Sequence, residues 1–165
     1  MIRGSWFIRM NATMESVWDY PRPPAVEPCP RRARVLLAGT VIADSRRALR
    51  VLETSQPPGI YLPPDDVDVA LLESARRRTL CEWKGIARYH HAVVDGHRVK
   101  HAAWTYPRPV DEYARLAGHF AFYPGRVQCW LDDELVAAGP GDFYGGWVTA
   151  EIAGPFKGGP GTMHW

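Results

Sequence analysis

The chain has 165 residues, of which 46% are hydrophobic and 23% are charged. This composition is typical of a globular protein, and the length allows one domain with a core that needs no metal or disulfide. The net charge of +2 is too small to indicate a nucleic-acid partner. No apolar run approaches the roughly 18–20 residues of a transmembrane helix, so we expect no membrane association.

The cysteines and the first residues bear on the cellular compartment. Cys29, Cys81 and Cys129 are an odd number and include no Cys-x-x-Cys pair, which argues against a disulfide framework. Residues 1–9 hold an apolar run of only three, whereas a secretory signal has about 7–15. We therefore expect a cytoplasmic protein. The sequence leaves open whether translation starts at Met1, Met10 or Met14.

Composition divides the chain into three regions. Residues 1–33 are an N-terminal extension and a proline-rich arm, which we expect to be extended because proline fixes φ and lacks an N–H. Residues 34–138 are the predicted core domain. Residues 139–165 hold eight of the fifteen glycines and are predicted to be a tail packed on the core, anchored by Phe156 and Trp147.

Short strands dominate the prediction in chain order. Strands are predicted at 34–38, 41–44, 60–62, 87–94, 97–104, 120–123, 126–130 and 134–137. Helices are predicted at 45–53, with a strand at 49–52 as the alternative, from Pro64 to the arginines at 76–78, and at 109–118. The result is a mostly β (α+β) domain with two or three short helices.

The turn Asp95-Gly96 is among the strongest hairpin signals and connects 87–94 with 97–104. Pairing Val94 with His97 places His90 opposite His101, Arg88 opposite Ala103 and Tyr89 opposite Ala102. Side chains alternate between faces, so two groups follow. One face holds Tyr89, His91, Lys100 and Trp104, and the other holds His90, Val94, His97, Val99 and His101. A one-residue slip in register would exchange them.

Polar and aromatic side chains concentrate beside this hairpin. Eight Lys or Arg residues lie between Arg76 and Arg108, against only Glu82 and Asp95, which favours an anionic small molecule. Aromatic residues in a pocket stack on planar ligands. We predict a ligand-binding pocket lined by Lys84, Arg88, Tyr89, Trp104, Tyr106 and Tyr123. Core packing of the aromatic residues is the alternative.

Cys81 and Lys84 are the candidate catalytic residues. Nearby cations stabilise a thiolate, so Cys81 is a candidate nucleophile, although a free cysteine more commonly behaves as a small buried hydrophobe. Lys84 suits a phosphate or a carboxylate, with a solvated surface lysine as the alternative. His90 and His101 could share a metal, but no third ligand is indicated, and we predict neither a metal nor a cofactor.

Seven segments carry a family resemblance. They are VIADSRRALRVLET from Val41, YLPPDDV from Tyr61, CEWKGIARY from Cys81, AAWTY from Ala102, FAFY from Phe120, GGWVT from Gly145 and GPFKGGPGT from Gly154. From about Trp18 to Trp165 the chain resembles the bacterial family named domain of unknown function 427. The resemblance implies an Mss4-like β-tent, two antiparallel sheets meeting at an angle, and it implies nucleotidyl transfer. Many proteins with that fold hold zinc through paired Cys-x-x-Cys knuckles, which this chain lacks.

Three functions follow as hypotheses. The first is the binding of a small anionic or aromatic ligand beside the hairpin, with catalysis left open. The second is a protein or RNA interaction module that uses the arm, the basic face and the tail. The third is a nucleotidyl or phosphoryl transferase, which needs paired carboxylates for a metal. The acidic clusters at 65–68 and 132–133 fit turns or caps instead. The oligomeric state is not predicted.

Overall fold

The computed structural model describes residues 14–141 and 143–165, so the predicted extension over residues 1–13 lies outside the described residues. The protein is mostly β, with 46% of the described residues in strands and 10% in helices. This confirms the predicted class. Every helix in the described ranges is a short 3₁₀ helix, and none is long and apolar enough to span a membrane.

The strands and helices of the described residues have the following bounds. The strands are β1 Glu15–Ser16, β2 Ala25–Pro28, β3 Ala33–Leu37, β4 Thr40–Ser45, β5 Leu49–Leu52, β6 Gly59–Leu62, β7 Leu72–Cys81, β8 Gly85–Val94, β9 His97–Thr105, β10 Phe120–Phe122, β11 Gln128–Leu131, β12 Glu134–Leu135, β13 Ala137–Ala138, β14 Trp147–Val148 and β15 Ile152–Ala153. The 3₁₀ helices are Val17–Asp19, Pro64–Asp66, Val69–Leu71 and Asp111–Leu116.

Two antiparallel sheets contain most of these strands. The larger has seven strands in the order β2-β5-β6-β10-β9-β8-β7, and the smaller has four in the order β12-β11-β3-β4. Two strand pairs complete the structure: β13 with β14, antiparallel, and β1 with β15, parallel. The proline-rich arm enters the large sheet as β2, an edge strand, where a residue without an N–H is tolerated.

The two faces of the seven-stranded sheet carry different side chains. One face packs on the four-stranded sheet through aliphatic residues and Phe120, Phe122 and Trp147. The opposite face carries a second cluster that is mostly aromatic and includes Tyr61, Tyr89, Trp104, Tyr106 and Tyr123. Because neighbouring residues in a strand point to opposite faces, each central strand contributes to both clusters.

The central hairpin has the predicted turn and a bulge that was not predicted. Val94 pairs with His97 as expected, but Tyr89 pairs with Trp104 and His90 with Ala103, because residues 100–102 of β9 together oppose residue 91 of β8. His101 takes a positive φ of 49° in this bulge. Its ring lies 5.8 Å from that of Tyr89. The predicted pairing of His90 with His101 is therefore wrong, whereas Tyr89 and Trp104 share a face as predicted.

The helix predicted from Pro64 to the arginines at 76–78 is wrong. Two single 3₁₀ turns occupy Pro64–Asp66 and Val69–Leu71, and the arginines lie in the edge strand β7. The helix predicted at 45–53 is also wrong, and the alternative strand at 49–52 is present as β5. In both cases backbone pairing with a distant strand outweighs the local pattern. The predicted helix at 109–118 corresponds to the 3₁₀ helix Asp111–Leu116.

The C-terminal segment 143–165 packs on the core. Trp147 is only 1% exposed, and its indole N–H donates to the carbonyl of Phe122 at 2.9 Å. Gly145 has a φ of +67°, and a Cβ there would lie 2.6 Å from the Trp104 ring. A larger residue at this position would collide with that ring, so the chain approaches the aromatic face closely.

We expect Trp147→Phe to lower the free energy of unfolding by about 1–3 kcal/mol, because the carbonyl of Phe122 loses its partner in a buried place. Urea denaturation measures the change. Trp18→Phe is the control, since the Trp18 indole donates to Pro155 at an exposed position where water can replace it. Equal losses in the two variants would contradict the expectation.

Candidate functional site

A cavity of about 320 Å³ opens on the aromatic face of the seven-stranded sheet. Its volume is in the range of small-molecule sites. Six of the seven residues predicted to form a site line it: Cys81, Lys84, Tyr89, Trp104, Tyr106 and Tyr123. They come from β7, β8, β9, the β7–β8 turn and the segments that follow β9 and β10. Tyr89 and Trp104 are paired across β8 and β9, so they lie side by side in the central wall of the cavity.

Arg88 is the predicted site residue that the structure does not bring to the cavity. It is exposed and follows a buried alanine and precedes Tyr89, so the alternation in β8 directs it to the opposite face of the sheet. There it lines a separate groove with Thr105 and Phe120.

Lys84 lies in the turn between β7 and β8 and is only 7% exposed. Its backbone carbonyl accepts the N–H of Val110 at 3.0 Å, and this bond fixes the turn. The ammonium lies 5.7 Å from the centre of the Tyr106 ring, a cation–π distance. Among the described residues, no carboxylate forms an ion pair with it.

The charge of Lys84 follows from its surroundings. Burial acts to lower its pKa, but the neighbouring groups of Tyr61, Cys81 and Glu53 act more strongly in the opposite direction, and the net effect raises the pKa. The ammonium is therefore protonated at neutral pH. Burial raises the pKa of Tyr61, and the nearby Lys84 ammonium acts on this phenol in the opposite direction. The cation is buried with only partial compensation.

Hydrogen bonds and ring contacts hold the aromatic walls in place. The Trp104 indole N–H donates to the Tyr61 hydroxyl at 3.2 Å, and the rings of Trp104 and Tyr123 lie 4.7 Å apart. The Tyr89 hydroxyl lies 2.9 Å from Thr79 Oγ1, and the Tyr123 hydroxyl donates to the carbonyl of Phe143 at 2.9 Å. Burial raises the pKa of Tyr106 and Tyr123 above its ordinary value. These phenols are therefore neutral groups, not bases.

Cys81 is the most accessible of the three thiols. It is half-buried at the edge of the cavity, whereas Cys29 and Cys129 are buried and burial raises the pKa of both. Cys81 is close enough to Lys84 and Tyr106 to affect the pKa of each. No histidine is among the described residues that line the cavity, so the structure offers no Cys–His pair.

Several lining residues were not predicted as site residues. They are chiefly Glu53, Tyr61, Trp83, Tyr144 and Lys157. Strict alternation in the predicted strand 60–62 could have identified Tyr61, because its neighbours Ile60 and Leu62 are typical core residues. Tyr144 and Lys157 lie in the C-terminal segment, and no local pattern connects them with the hairpin. The Trp83 indole N–H is buried and has no acceptor within the described part of the chain.

Metal-ligating groups do not assemble in the described ranges. No group of three or more His, Cys, Asp or Glu side chains there could hold a metal ion. His90 packs on Phe120, on the opposite face from His101, so these two cannot share one. The acidic clusters are engaged elsewhere: Asp66 pairs with Arg47 at 2.7 Å and Asp132 with Arg31 at 3.0 Å.

We expect Lys84→Met to raise the free energy of unfolding at pH 7 by about 0.5–2 kcal/mol, because it removes a partly compensated buried charge and retains the stem volume. Denaturation in urea measures the change. Lys100→Met, at an exposed position, serves as the control and should stay within about 0.5 kcal/mol of the parent protein. A clear loss of stability on Lys84→Met would show that the ammonium has a structural role.

Comparison with known proteins gives a family but no curated relative. The family model described as Domain of unknown function (DUF427) matches residues 25–133. The match runs from β2 to the turn after β11 and includes Cys81, Lys84 and the aromatic walls, but not the C-terminal segment. The search of curated proteins found no match. Because the family model covers well over half of the sequence, this chain belongs to the DUF427 family.

Proposed function

We propose that the protein binds a small ligand with an aromatic or planar body and an anionic group in the cavity beside the central hairpin. The observation that carries the proposal is the buried Lys84, which forms no ion pair with a carboxylate of the described residues and is compensated only in part, by the more distant charge of Glu53 among others. A buried charge without a partner costs free energy, and a ligand carboxylate or phosphate would remove that cost.

The walls support a planar body for the ligand. Trp104, Tyr106 and Tyr123 line one space, and aromatic rings pack favourably on planar groups. The indole N–H of Trp83 is a buried donor without an acceptor, and a ligand oxygen would satisfy it. Glu53 lines the same space and could accept a hydrogen bond from a hydroxyl or amino group of the ligand.

Binding is a better-supported proposal than catalysis or nucleotidyl transfer. Cys81 beside Lys84 is a candidate nucleophile, but the described lining residues include no histidine to serve as its base. Nucleotidyl transfer needs carboxylates that hold a divalent ion, and Asp66 and Asp132 form ion pairs with arginines instead. The modest net charge also gives little support to an RNA-binding module.

We also propose that the fold is an Mss4-like β-tent. The seven-stranded and four-stranded antiparallel sheets share one aliphatic core, which is the arrangement expected of two sheets that meet along a tent. The aromatic face then lies on the outer side of the larger sheet, where the tail covers it.

A matched pair of probes tests the ligand class. Phenylacetate and 2-phenylethanol share an aromatic ring, but only the first carries an anion. We expect phenylacetate at a hundredfold excess over its Kd to raise Tm by roughly 5–10 °C, and the alcohol to have much less effect. Lys84→Met should abolish the difference, and Lys100→Met should preserve it. Equal shifts for both probes in the parent protein would refute the role of Lys84.

Alkylation of Cys81 provides a second test, because this thiol lies at the cavity. Iodoacetate is an anion and iodoacetamide is neutral, so their rate ratio reports the local potential. We expect Lys84→Met to lower that ratio by roughly tenfold, with Lys100→Met unchanged. Mass spectrometry identifies the modified residue. Preferential labelling of Cys29 or Cys129 in the folded protein would contradict the assignment.

A further inference from the structure

The face of the central hairpin opposite the aromatic cavity contains a second, open groove of about 740 Å³. A row of paired residues crosses its base: Arg78 lies opposite Arg88, and Arg88 lies opposite Thr105. Arg108 follows β9 and lines the same space. We call this feature the arginine groove and define it by Arg78, Arg88, Arg108, Thr105 and His90.

The three arginines are exposed, and no anionic side chain of the described residues pairs with them. Among the described residues, none of them forms an ion pair, a side-chain hydrogen bond or a cation–π contact. Directly opposed residues in an antiparallel pair have Cβ atoms about 5 Å apart, and like charges there repel. Arg78 and Arg88 therefore form an unfavourable pair that a bound anion would relieve. Guanidinium groups in such a pair can each present two N–H donors to one phosphate.

The floor of the groove supplies an independent observation. Thr105 is only 5% exposed, and its hydroxyl is buried without a hydrogen-bond partner. The Nδ1 atom of His90 is also buried and unpartnered. Nearly all buried polar groups in proteins have a hydrogen-bond partner. Two unpartnered polar atoms in one groove therefore support a ligand that provides the missing partners. A phosphate oxygen would accept from the Thr105 hydroxyl.

The apolar border of the groove indicates what else the ligand carries. Ile86 lines the groove two residues from Arg88, on the same face of β8. It is 51% exposed. Phe120 lies at the other side, opposite Thr105. The anionic centre is thus bordered by apolar side chains.

We propose that the arginine groove binds a phosphomonoester with an apolar body, with the phosphate between Arg78 and Arg88 and above the Thr105 hydroxyl. The site is distinct from the aromatic cavity, because alternation places Arg88 and Thr105 on the opposite face of β8 and β9 from Trp104, with Tyr89 bordering both spaces. The proposal does not depend on the proposed function.

Calorimetry with phenyl phosphate, inorganic phosphate and phenol tests this proposal. We expect phenyl phosphate to bind more tightly than inorganic phosphate, and phenol to show no binding. Arg78→Gln and Arg88→Gln should each lower the affinity for phenyl phosphate by roughly tenfold or more. Arg76→Gln removes the same charge from the same strand without touching the groove, and should change the affinity by less than about twofold.

Two further variants keep the test independent of folding and of the other cavity. Thr105→Val preserves the shape of the side chain, so it should weaken the binding of phenyl phosphate without lowering the Tm of the free protein. Arg88→Gln should raise that Tm at low ionic strength, since it removes a repulsion. Lys84→Met should leave the affinity for phenyl phosphate unchanged.

Three results would overturn the proposal. Loss of phenyl phosphate binding in Lys84→Met but not in Arg88→Gln would assign the probe to the aromatic cavity. Equal weakening by Arg76→Gln and Arg88→Gln would indicate diffuse charge attraction without a site. Binding of a single-stranded oligonucleotide that depends on Arg88, with no binding of either phosphate probe, would assign the groove to nucleic acid.

Discussion

Side-chain alternation across the four central strands β6, β10, β9 and β8 is the constraint on which the rest of the structure depends. Each strand sends aliphatic or phenylalanine side chains towards the small sheet, and β6, β9 and β8 send tyrosine or tryptophan towards the other side, where β10 contributes Ala121. A one-residue shift in register would place phenol hydroxyls in the aliphatic core, where they would lack partners. The bulge at His101 is compatible with this requirement because it shifts the pairing by two residues and keeps Tyr89 beside Trp104.

The same alternation divides the basic residues of the central region into groups with different environments. Lys84, in a turn, reaches the aromatic face and is buried beside Tyr106. Arg78 and Arg88, in strands, lie on the opposite face and remain exposed. A single hairpin, β7–β8, therefore supplies cations to both sides of one sheet. The net charge does not reveal this arrangement, because cations only modestly outnumber anions in the whole chain.

Features coded by adjacent residues were predictable from the sequence, and features that depend on distant contacts were not. The Asp95-Gly96 turn and the mostly β class follow from local patterns. The strand β7 was missed because its pairing with β8 is decided by tertiary contacts, whereas its proline-led start is typical of a helix. Arg88 was wrongly predicted to line the pocket, because the alternation of side chains along β8 was not applied to it. The bulge has no sequence signature, because it places a histidine at a positive φ. Lys157 reaches the cavity only because the last segment folds back over the sheet.

The packing of the C-terminal segment on the sheet has a consequence for folding. The first described strand, β1, pairs in parallel with the last, β15, and the segment around Gly145 closes against Trp104. Until residues 143–157 have packed on the seven-stranded sheet, its aromatic face is uncovered. A folding intermediate that lacks this packing therefore exposes a tryptophan- and tyrosine-rich surface. Proteins that bind exposed aromatic surfaces, chaperones among them, would have access to this face before the cavity has formed.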